Sequence, residues 1–354
     1  MKRINLIKKF LNKINSKPYI IAEVGVNHEG SIKTAKKMIL MAKKGGADAV
    51  KFQTYKAELL ASKNSPAYWD TNKEKTKNQF QLFKKYDKFN VNDYRELYKF
   101  CKKKEIDFLS TPFDEKAVDF LSPMVPYFKI ASADITNYPL LKKIGKKKKI
   151  TFLSTGASNY NEIEKALSVL KSNGSPLTVI LHCILSYPTK ESLANLKMIS
   201  HIKSKFKNHI IGYSDHTLPN KQMDTLTTAY LLGAKVLEKH FTLDKTKKGN
   251  DHYHSMDYYD LLKFTKKLKF IKTIIGNSKI KKPIIEEKKS RRHARRSIVV
   301  KKYIKKGEKI TSKNIISKRP GTGITPMNWS KIIGKRATKN LYEDKIIKNS
   351  DLKN

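Results

Sequence analysis

The sequence predicts an α/β protein whose main domain is a (β/α)8 barrel, also called a TIM barrel. Short apolar runs rich in β-branched residues alternate with helix-like segments eight times. The alternation spans about 250 residues, which is the usual size of this barrel. Polar side chains follow the C-terminal end of each run, where ligands bind in parallel α/β folds. A doubly wound open sheet is the alternative, but no GxGxxG sequence follows any run.

The spacing of apolar residues places the strands and the helices between them. The predicted strands are residues 19–24, 47–52, 107–109, 125–130, 149–153, 177–181, 208–212 and 235–237. Predicted helices include residues 32–44, 91–103, 161–172 and 221–232. Residues 54–79 are predicted to form a long irregular insert after the second strand.

The chain of 354 residues exceeds the usual span of one compact core, which predicts one large and one small domain. We assign residues 1–17 to a basic N-terminal extension, 18–280 to the barrel, 281–296 to a basic linker and 297–354 to a small β-rich module. The extension has the apolar spacing of an amphipathic surface helix and lacks the features of a signal peptide. In the module, Gly and Pro separate strand-like pieces at residues 297–300, 305–311, 318–326 and 332–335.

The net charge of +44, from 75 basic and 31 acidic residues, is the outlier of the composition. Such a charge is typical of proteins that bind nucleic acid or anionic membranes. The lysines are spread along the whole chain, however, and aromatic residues are not interleaved with them as stacking platforms. We therefore interpret most of the charge as a solvated surface that also attracts an anionic substrate. Residues 291–296 (RRHARR) fit either a solvated linker or a patch that binds an anion or nucleic acid.

The cysteine content and hydropathy indicate the compartment. Cys101 and Cys183 lie far apart without a CxxC pair, which fits a reducing cytoplasm and excludes a cysteine zinc site. No window approaches the length of a membrane span. We predict a cytoplasmic protein without nucleic-acid partners and without membrane insertion.

Polar side chains that end the predicted strands would surround one pocket if the barrel closes. These residues are Glu23, Lys51, Gln53, Thr111, Lys129, Ser132, Ser154, Tyr187, Ser214, His216 and His240, followed on a loop by Asp251. Chance placement would distribute polar residues over both strand ends. Their gathering at one end predicts a binding site.

Lys51 and Lys129 predict an anion site at this end of the barrel. Two ammonium groups with hydroxyl donors suit an oxyanion of charge −2 or more. A strand-end Lys is costly to bury without a partner, and neither has an obvious acidic neighbour in sequence. The role of Glu23 stays open between a general base, a ligand of a sugar hydroxyl and a partner of one lysine.

His216 and His240, at neighbouring strand ends, predict a site for one divalent cation. Imidazole suits Mn²⁺, Zn²⁺ or Fe²⁺, and with two protein nitrogens the remaining ligands would be water and substrate oxygens. Such an open shell fits a metal that polarises a carbonyl. A single His at a strand end is more often structural, so the prediction depends on the pair.

Several longer stretches resemble one known family, the sialic acid synthases, which also make related nonulosonic acids. The matching stretches are IAEVGVNHEGS (21–31), AVKFQTY (49–55), FLSTPFD (108–114), KIASADITNYPLL (129–141), STGAS (154–158), LHC and SYPT (181–183 and 186–189), GYSDHT (212–217), EKHFTLDK (238–245), GNDHYHSMD (249–257) and RPGTGITP (319–326). They follow one another in the order of the family and cover nearly the whole chain.

This resemblance implies an enzyme that condenses phosphoenolpyruvate with an N-acetylated aldose, N-acetylmannosamine or a close relative, with C–O cleavage and release of phosphate. It implies a divalent metal, with Mn²⁺ expected and Mg²⁺ or Co²⁺ as alternatives. It also implies a C-terminal antifreeze-like (SAF) domain. In the expected domain-swapped homodimer, the SAF domain of one chain covers the barrel mouth of the other.

The resemblance also implies a role for each matching residue. It assigns the metal to His216 and His240. Phosphoenolpyruvate contacts fall on Lys51, Thr111, Lys129, Ser132, Ser154 and Ser214. Acid–base chemistry falls on Glu23, and sugar contacts fall on Gln53, Tyr187, Asp251 and, for the acetamido group, Arg319.

Two departures from the family pattern lie where the sugar should bind. Ile184-Leu185-Ser186 lacks an Asn that often occurs there, and Asn250 replaces a Pro before Asp251. They leave the aldose open, with a diacetylated 6-deoxy sugar (legionaminate or pseudaminate type) and a phosphorylated sugar as alternatives. Two other classes also remain, a TIM-barrel lyase or metal-dependent hydrolase and a non-catalytic binder of nucleic acid or anionic surfaces.

Overall fold

A computed structural model of the chain describes residues 2–69, 71, 72, 74–249 and 251–354. The chain divides into two compact units, Met1–Ile275 and Gly276–Asn354. The described strands of the first unit are β1 (Tyr19–Gly25), β2 (Ala49–Thr54), β3 (Asp107–Pro112), β4 (Phe128–Ile130), β5 (Thr151–Ser154), β6 (Thr178–Cys183), β7 (Ile210–Asp215) and β8 (Val236–His240). Its described helices are α1 (Lys2–Ser16), α2 (Ile32–Gly45), α3 (Ala57–Leu60), α4 (Gln79–Tyr86), α5 (Val91–Lys103), α6 (Glu115–Leu121), α7 (Tyr138–Lys146), α8 (Tyr160–Ser172), α9 (Lys197–Lys205), α10 (Asp224–Leu231) and α11 (Tyr258–Ile275).

These strands form one parallel sheet in the order β3-β2-β1-β8-β7-β6-β5-β4. The two end strands of this order, β3 and β4, lie side by side, which closes the sheet into a barrel. The predicted (β/α)8 fold is therefore confirmed. Each predicted strand overlaps an observed one, and most observed strands extend further toward the C-terminus, so that several polar strand-end residues lie within the strands.

Successive side chains of each strand point alternately into and out of the barrel. The side chains that point inward are apolar at the base of the barrel and polar at its mouth. In β8, Val236 belongs to the apolar interior cluster, and Glu238 and His240 follow on the same face. Leu237, between them, packs outward against the helices. The interior is thus apolar where the strands begin and charged where they end, which places the site at the C-terminal mouth.

The N-terminal helix α1 has the two faces that its apolar spacing predicts, since Lys8 and Lys9 are exposed and Phe10 and Ile14 are buried. Phe10 is fully buried, and its ring centroid lies 5.0 Å from that of Tyr127 and 5.7 Å from that of Phe152 inside the barrel base. Lys13 pairs with Asp107, with 3.4 Å between the charged atoms. The apolar face of α1 covers the base of the barrel because the interior side chains there would otherwise meet water.

The second unit is small and β-rich, as predicted. It contains α12 (Lys288–Ala294), β9 (Ser297–Val300), β10 (Ile315–Lys318), α13 (Trp329–Ile332), β11 (Arg336–Ala337) and β12 (Leu352–Lys353). β9 pairs with β10 and β11 with β12, both antiparallel, around a core of isoleucines such as Ile298 and Ile310.

Three of the four strand-like pieces predicted in the second unit are wrong as regular strands. Residues 305–311 make only a single bridge, Lys309 to Arg336. The piece at 318–326 shares only Lys318 with β10, and the piece at 332–335 begins at Ile332, where α13 ends. Isolated apolar residues there pack into the small core without a continuous partner strand. In the described part of the chain, no helix has the length and apolar character needed to cross a membrane.

Candidate active site at the barrel mouth

The mouth of the barrel contains a cavity of about 550 Å³. All the predicted site residues of the first unit line it. These are Glu23, Lys51, Gln53, Thr111, Lys129, Ser132, Ser154, Tyr187, Ser214, His216, His240 and Asp251. Arg319 belongs to the second unit, where it follows β10 and its side chain is exposed. Asn250, one of the two departures noted in the sequence, lies outside the described residues.

Two lysines and two carboxylates form a buried charge network on the cavity floor. Lys51 Nζ lies 2.6 Å from Glu23 Oε2 and 3.8 Å from Glu238 Oε2. Lys129 Nζ lies 3.1 Å from Glu238 Oε1. Glu23, Lys51, Lys129 and Glu238 are at most 4 % exposed. Each lysine therefore has an acidic partner that its neighbours in sequence do not reveal.

Glu238 is a site residue that the sequence reasoning missed. It also accepts a hydrogen bond from Ser214 Oγ at 2.9 Å. The signal was its position two residues before His240 in β8, which puts both side chains on the interior face. Once the strand direction is known, that spacing is sufficient to predict it.

The network gives its two carboxylates opposite pKa shifts. Burial and the negative charge of Glu238 raise the pKa of Glu23 to about 7, although Lys51 opposes the shift. Burial also raises the pKa of Glu238, but the charges of Lys129 and Lys51 outweigh it and lower this pKa to about 2. At neutral pH Glu238 is thus a fixed anion, and Glu23 is suited to exchange a proton.

Hydroxyl and amide groups complete the floor of the cavity around the lysines. Lys51 Nζ donates to Thr111 Oγ1 at 3.1 Å, and Gln53 Nε2 donates to Glu23 Oε1 at 3.3 Å. Ser132 Oγ accepts from the Gly156 N–H at 2.9 Å. Ser154 Oγ is buried without a hydrogen-bond partner among the described residues. An unpaired buried hydroxyl beside ammonium groups is suited to bind a ligand oxygen.

The candidate metal ligands come from β8 and from the loop that follows it. His240, Asp251 and His254 offer ligand atoms within 4.8 Å of one another. His240 Nδ1 lies 3.6 Å from Asp251 Oδ2 and makes no hydrogen bond to any described residue. Burial and the nearby imidazoles lower the pKa of His240 well below its usual value, so the ring is neutral and able to bind a metal.

His216 lies next to this group rather than within it. Its ring centroid is 5.6 Å from that of His240, and its Nδ1 lies 2.7 Å from the carbonyl oxygen of Ile184. That contact leaves Nε2 as its metal-binding atom. The sequence reasoning missed His254. The feature that could have identified it is its position three residues after Asp251 on a loop that also contains His252.

The outer wall of the cavity is apolar and aromatic. Helices α3 and α4 and the loops that carry Tyr68, Phe113 and Leu185 supply it. Residues 54–79, predicted to be irregular, thus contain the short helix α3 and contribute directly to the cavity. Apart from histidines, the described basic residues that line the cavity are the two floor lysines.

Comparisons with known proteins agree with this architecture. The NeuB family model matches residues 38–280, and the SAF domain model matches residues 295–353. The chain is 42% identical to the N,N'-diacetyllegionaminic acid synthase of Campylobacter jejuni, over 94% of this chain and 99% of the relative. It is 32% identical to the N-acetylneuraminate-9-phosphate synthase of Drosophila melanogaster, over 95% and 96% of the two chains. The crystal structure of the N-acetylneuraminic acid (sialic acid) synthetase from Leptospira borgpetersenii, in complex with citrate, superposes with a TM-score of 0.68 at 35% identity, covering 78% of this chain and 90% of that one.

Proposed function

Because the chain belongs to the NeuB family, we propose that it condenses phosphoenolpyruvate with an N-acetylated aldose to give a nonulosonic acid and phosphate. The single observation that carries the proposal is the pairing, in one cavity, of a buried two-lysine floor with a cluster of histidines and a carboxylate. An anionic substrate would lie against the lysines, and a carbonyl substrate would lie against the histidine cluster.

Lys51 and Lys129 are proposed to bind the phosphate and carboxylate of phosphoenolpyruvate. An ammonium group has three donors, so each lysine can keep its carboxylate partner and still donate to a ligand oxygen. Thr111, Ser132 and Ser154 lie on the same floor and supply further donors. Because these lysines are buried and held in place by their carboxylate partners, their charges would stabilise the departing phosphate dianion.

His240, Asp251 and His254, with His216 beside them, fit a divalent cation by the chemistry of their donor set. When bound, such an ion supplies Lewis-acid polarisation of a carbonyl oxygen. Mn²⁺, Mg²⁺ and Co²⁺ are all compatible with imidazole and carboxylate donors. The same histidines and Asp251 would hold the open-chain aldose with its aldehyde facing Lys51 and Lys129.

Glu23 is proposed to handle the proton of the attacking water. The C–C bond forms when carbon 3 of phosphoenolpyruvate attacks the aldehyde carbon, and the aldehyde oxygen becomes a hydroxyl. Water then adds to carbon 2, and phosphate leaves with cleavage of its C–O bond. A carboxyl with a pKa of about 7 both accepts and returns a proton near neutral pH. Gln53, which donates to Glu23, orients it.

The outer wall favours an unphosphorylated aldose with additional apolar groups. A phosphate at the far end of the sugar would meet side chains such as Leu60, Tyr68 and Phe83 and no described lysine or arginine of the first unit. The methyl groups of a diacetamido 6-deoxy aldose fit this wall. The comparison of relatives supports a diacetamido sugar as well. The N,N'-diacetyllegionaminic acid synthase is 42% identical to this chain, whereas the N-acetylneuraminate-9-phosphate synthase is 32% identical.

The test is a coupled assay of phosphate release from phosphoenolpyruvate with three aldoses, followed by mass spectrometry of the products. The aldoses are N-acetylmannosamine, its 6-phosphate and a diacetamido 6-deoxy hexose. We expect phosphate release only with an aldose, highest kcat/KM for the diacetamido sugar, and a product heavier by one pyruvate unit. Phosphate release without any aldose would instead identify a hydrolase and refute the proposal.

A further inference from the structure

A second buried ion pair lies on the outer face of β7 and β8, outside the cavity. Lys239 Nζ lies 2.7 Å from Asp215 Oδ2, and the two side chains are 1 % and 0 % exposed. Their Cα atoms are direct partners in the parallel register of the two strands. Neither residue lines the cavity, so neither belongs to the machinery described above.

The pair is tied to the backbone that follows β7. Asp215 Oδ1 accepts from the Thr217 N–H at 2.9 Å and from the Tyr213 hydroxyl at 2.9 Å. Lys239 Nζ donates to the Thr217 carbonyl oxygen at 2.6 Å. Both backbone polar groups of Thr217 are therefore held by this one pair.

The position of these contacts in the chain gives them a consequence for the cavity. His216 stands between Asp215 and Thr217, and both flanking residues are anchored to Lys239. His240 follows Lys239 directly in β8. The ion pair thus joins, from outside the barrel, the two backbone segments that present His216 and His240 to the inside.

We propose that Asp215 and Lys239 are positioning residues whose ion pair sets the separation of His216 and His240 and thereby the affinity for a divalent cation. The inference rests on the proposed function in one respect, the assignment of a cation to these histidines. An ion pair buried without solvent keeps one geometry, which a pair of apolar side chains would not impose on polar backbone groups. Partners behind metal-binding histidines typically change metal affinity by about 10–100-fold.

The experiment compares wild type with D215N, with the double variant D215N/K239M and with the control D48N, all as full-length protein. Asp48 is a matched control, because it is a buried carboxylate that pairs with Lys17 at 2.7 Å and accepts from the Ile20 N–H at 3.0 Å. It precedes β2 and so lies at the base of the barrel, away from the histidines. Mn²⁺ affinity is measured by calorimetry, and Tm by scanning calorimetry.

We expect D215N to lower Tm by about 6–10 °C, since it leaves a buried ammonium without its partner. The double variant removes both charges and should regain most of that Tm. Its Mn²⁺ affinity should nevertheless stay at least about 10-fold weaker than that of wild type, because methionine cannot hold the Thr217 carbonyl. D48N should lose Tm and bind Mn²⁺ within about twofold of wild type. A double variant that binds Mn²⁺ as wild type does would overturn the proposal.

A crystal structure of the metal-free double variant separates this proposal from the proposed function. If wild type itself does not bind Mn²⁺, the cation assignment fails, and the separation of the two imidazoles then decides the positioning role alone. We expect the distance between the two ring centroids to depart from 5.6 Å by more than about 0.5 Å. An unchanged distance would refute the proposal whatever the metal result.

Discussion

Replacing Glu238 by Gln should move the pH dependence of catalysis, although Glu238 itself stays ionised throughout the working range. Its charge is one of the causes that raise the pKa of Glu23 to about 7. The two carboxylates lie less than about 7 Å apart, because Lys51 Nζ is 2.6 Å from one and 3.8 Å from the other. At an effective dielectric constant of about 20, two unit charges at that distance interact by roughly 2 kcal/mol, or one to two pKa units.

The assay is the pH profile of kcat/KM for phosphate release between about pH 5 and 9. One limb of this profile should report the ionisation of Glu23. We expect the midpoint of that limb near pH 7 in wild type and one to two pH units lower in E238Q. The direction follows from the sign of the charge, since removal of an anion makes ionisation of Glu23 easier. This shift is independent of any uniform loss of rate. D48N, which removes a buried carboxylate at the barrel base, should keep the wild-type limb.

A limb in E238Q that stays within about 0.3 units of wild type would refute the coupling between the two carboxylates. If the limb also persists in E23Q, the titrating group is a different residue. The two variants together thus test both the network and the acid–base role of Glu23.

Three other predictions follow from the structure. H254F should weaken Mn²⁺ binding by about 10-fold or more in calorimetry, because it removes one donor of the buried cluster, and affinity equal to wild type would exclude His254 as a ligand. F10A should cost about 3–5 kcal/mol of unfolding free energy in denaturant titrations with kcat unchanged, since Phe10 fills the barrel base far from the mouth; a cost below about 1 kcal/mol would contradict that role. L60K should raise kcat/KM for a phosphorylated aldose relative to the diacetamido sugar, and an unchanged ratio would remove Leu60 from the sugar wall.

The sequence predicted the barrel, and the gathering of these side chains around one cavity, because both depend on local pattern. Strand-end residues such as Lys51, Lys129 and His240 were identified one strand at a time, and a parallel barrel necessarily brings those ends together. The family resemblance drawn from the same motifs is confirmed, and so is the prediction of an enzyme.

What the sequence did not reveal depends on which face of a strand meets which neighbour. Glu238 and Lys239 are adjacent in sequence, yet one pairs with Lys129 inside the barrel and the other with Asp215 outside it. The period of two along a strand separates them, but the register between β7 and β8 has to be known first. The packing of Phe10 into the barrel base depends in the same way on contacts distant in sequence.

The two faces of β7 and β8 also differ in how completely their polar groups are paired, and this difference indicates their roles. On the inner face, Glu238 Oε2 and His240 Nδ1 are buried without a hydrogen bond to any described residue. On the outer face, each oxygen of Asp215 has a partner, and Lys239 donates to two. Unpaired buried groups cost free energy that a ligand can recover, whereas a satisfied pair has nothing to gain by moving. The inner network is therefore suited to exchange its hydrogen-bond partners for those of a substrate. The outer pair is suited to keep the backbone in place during that exchange.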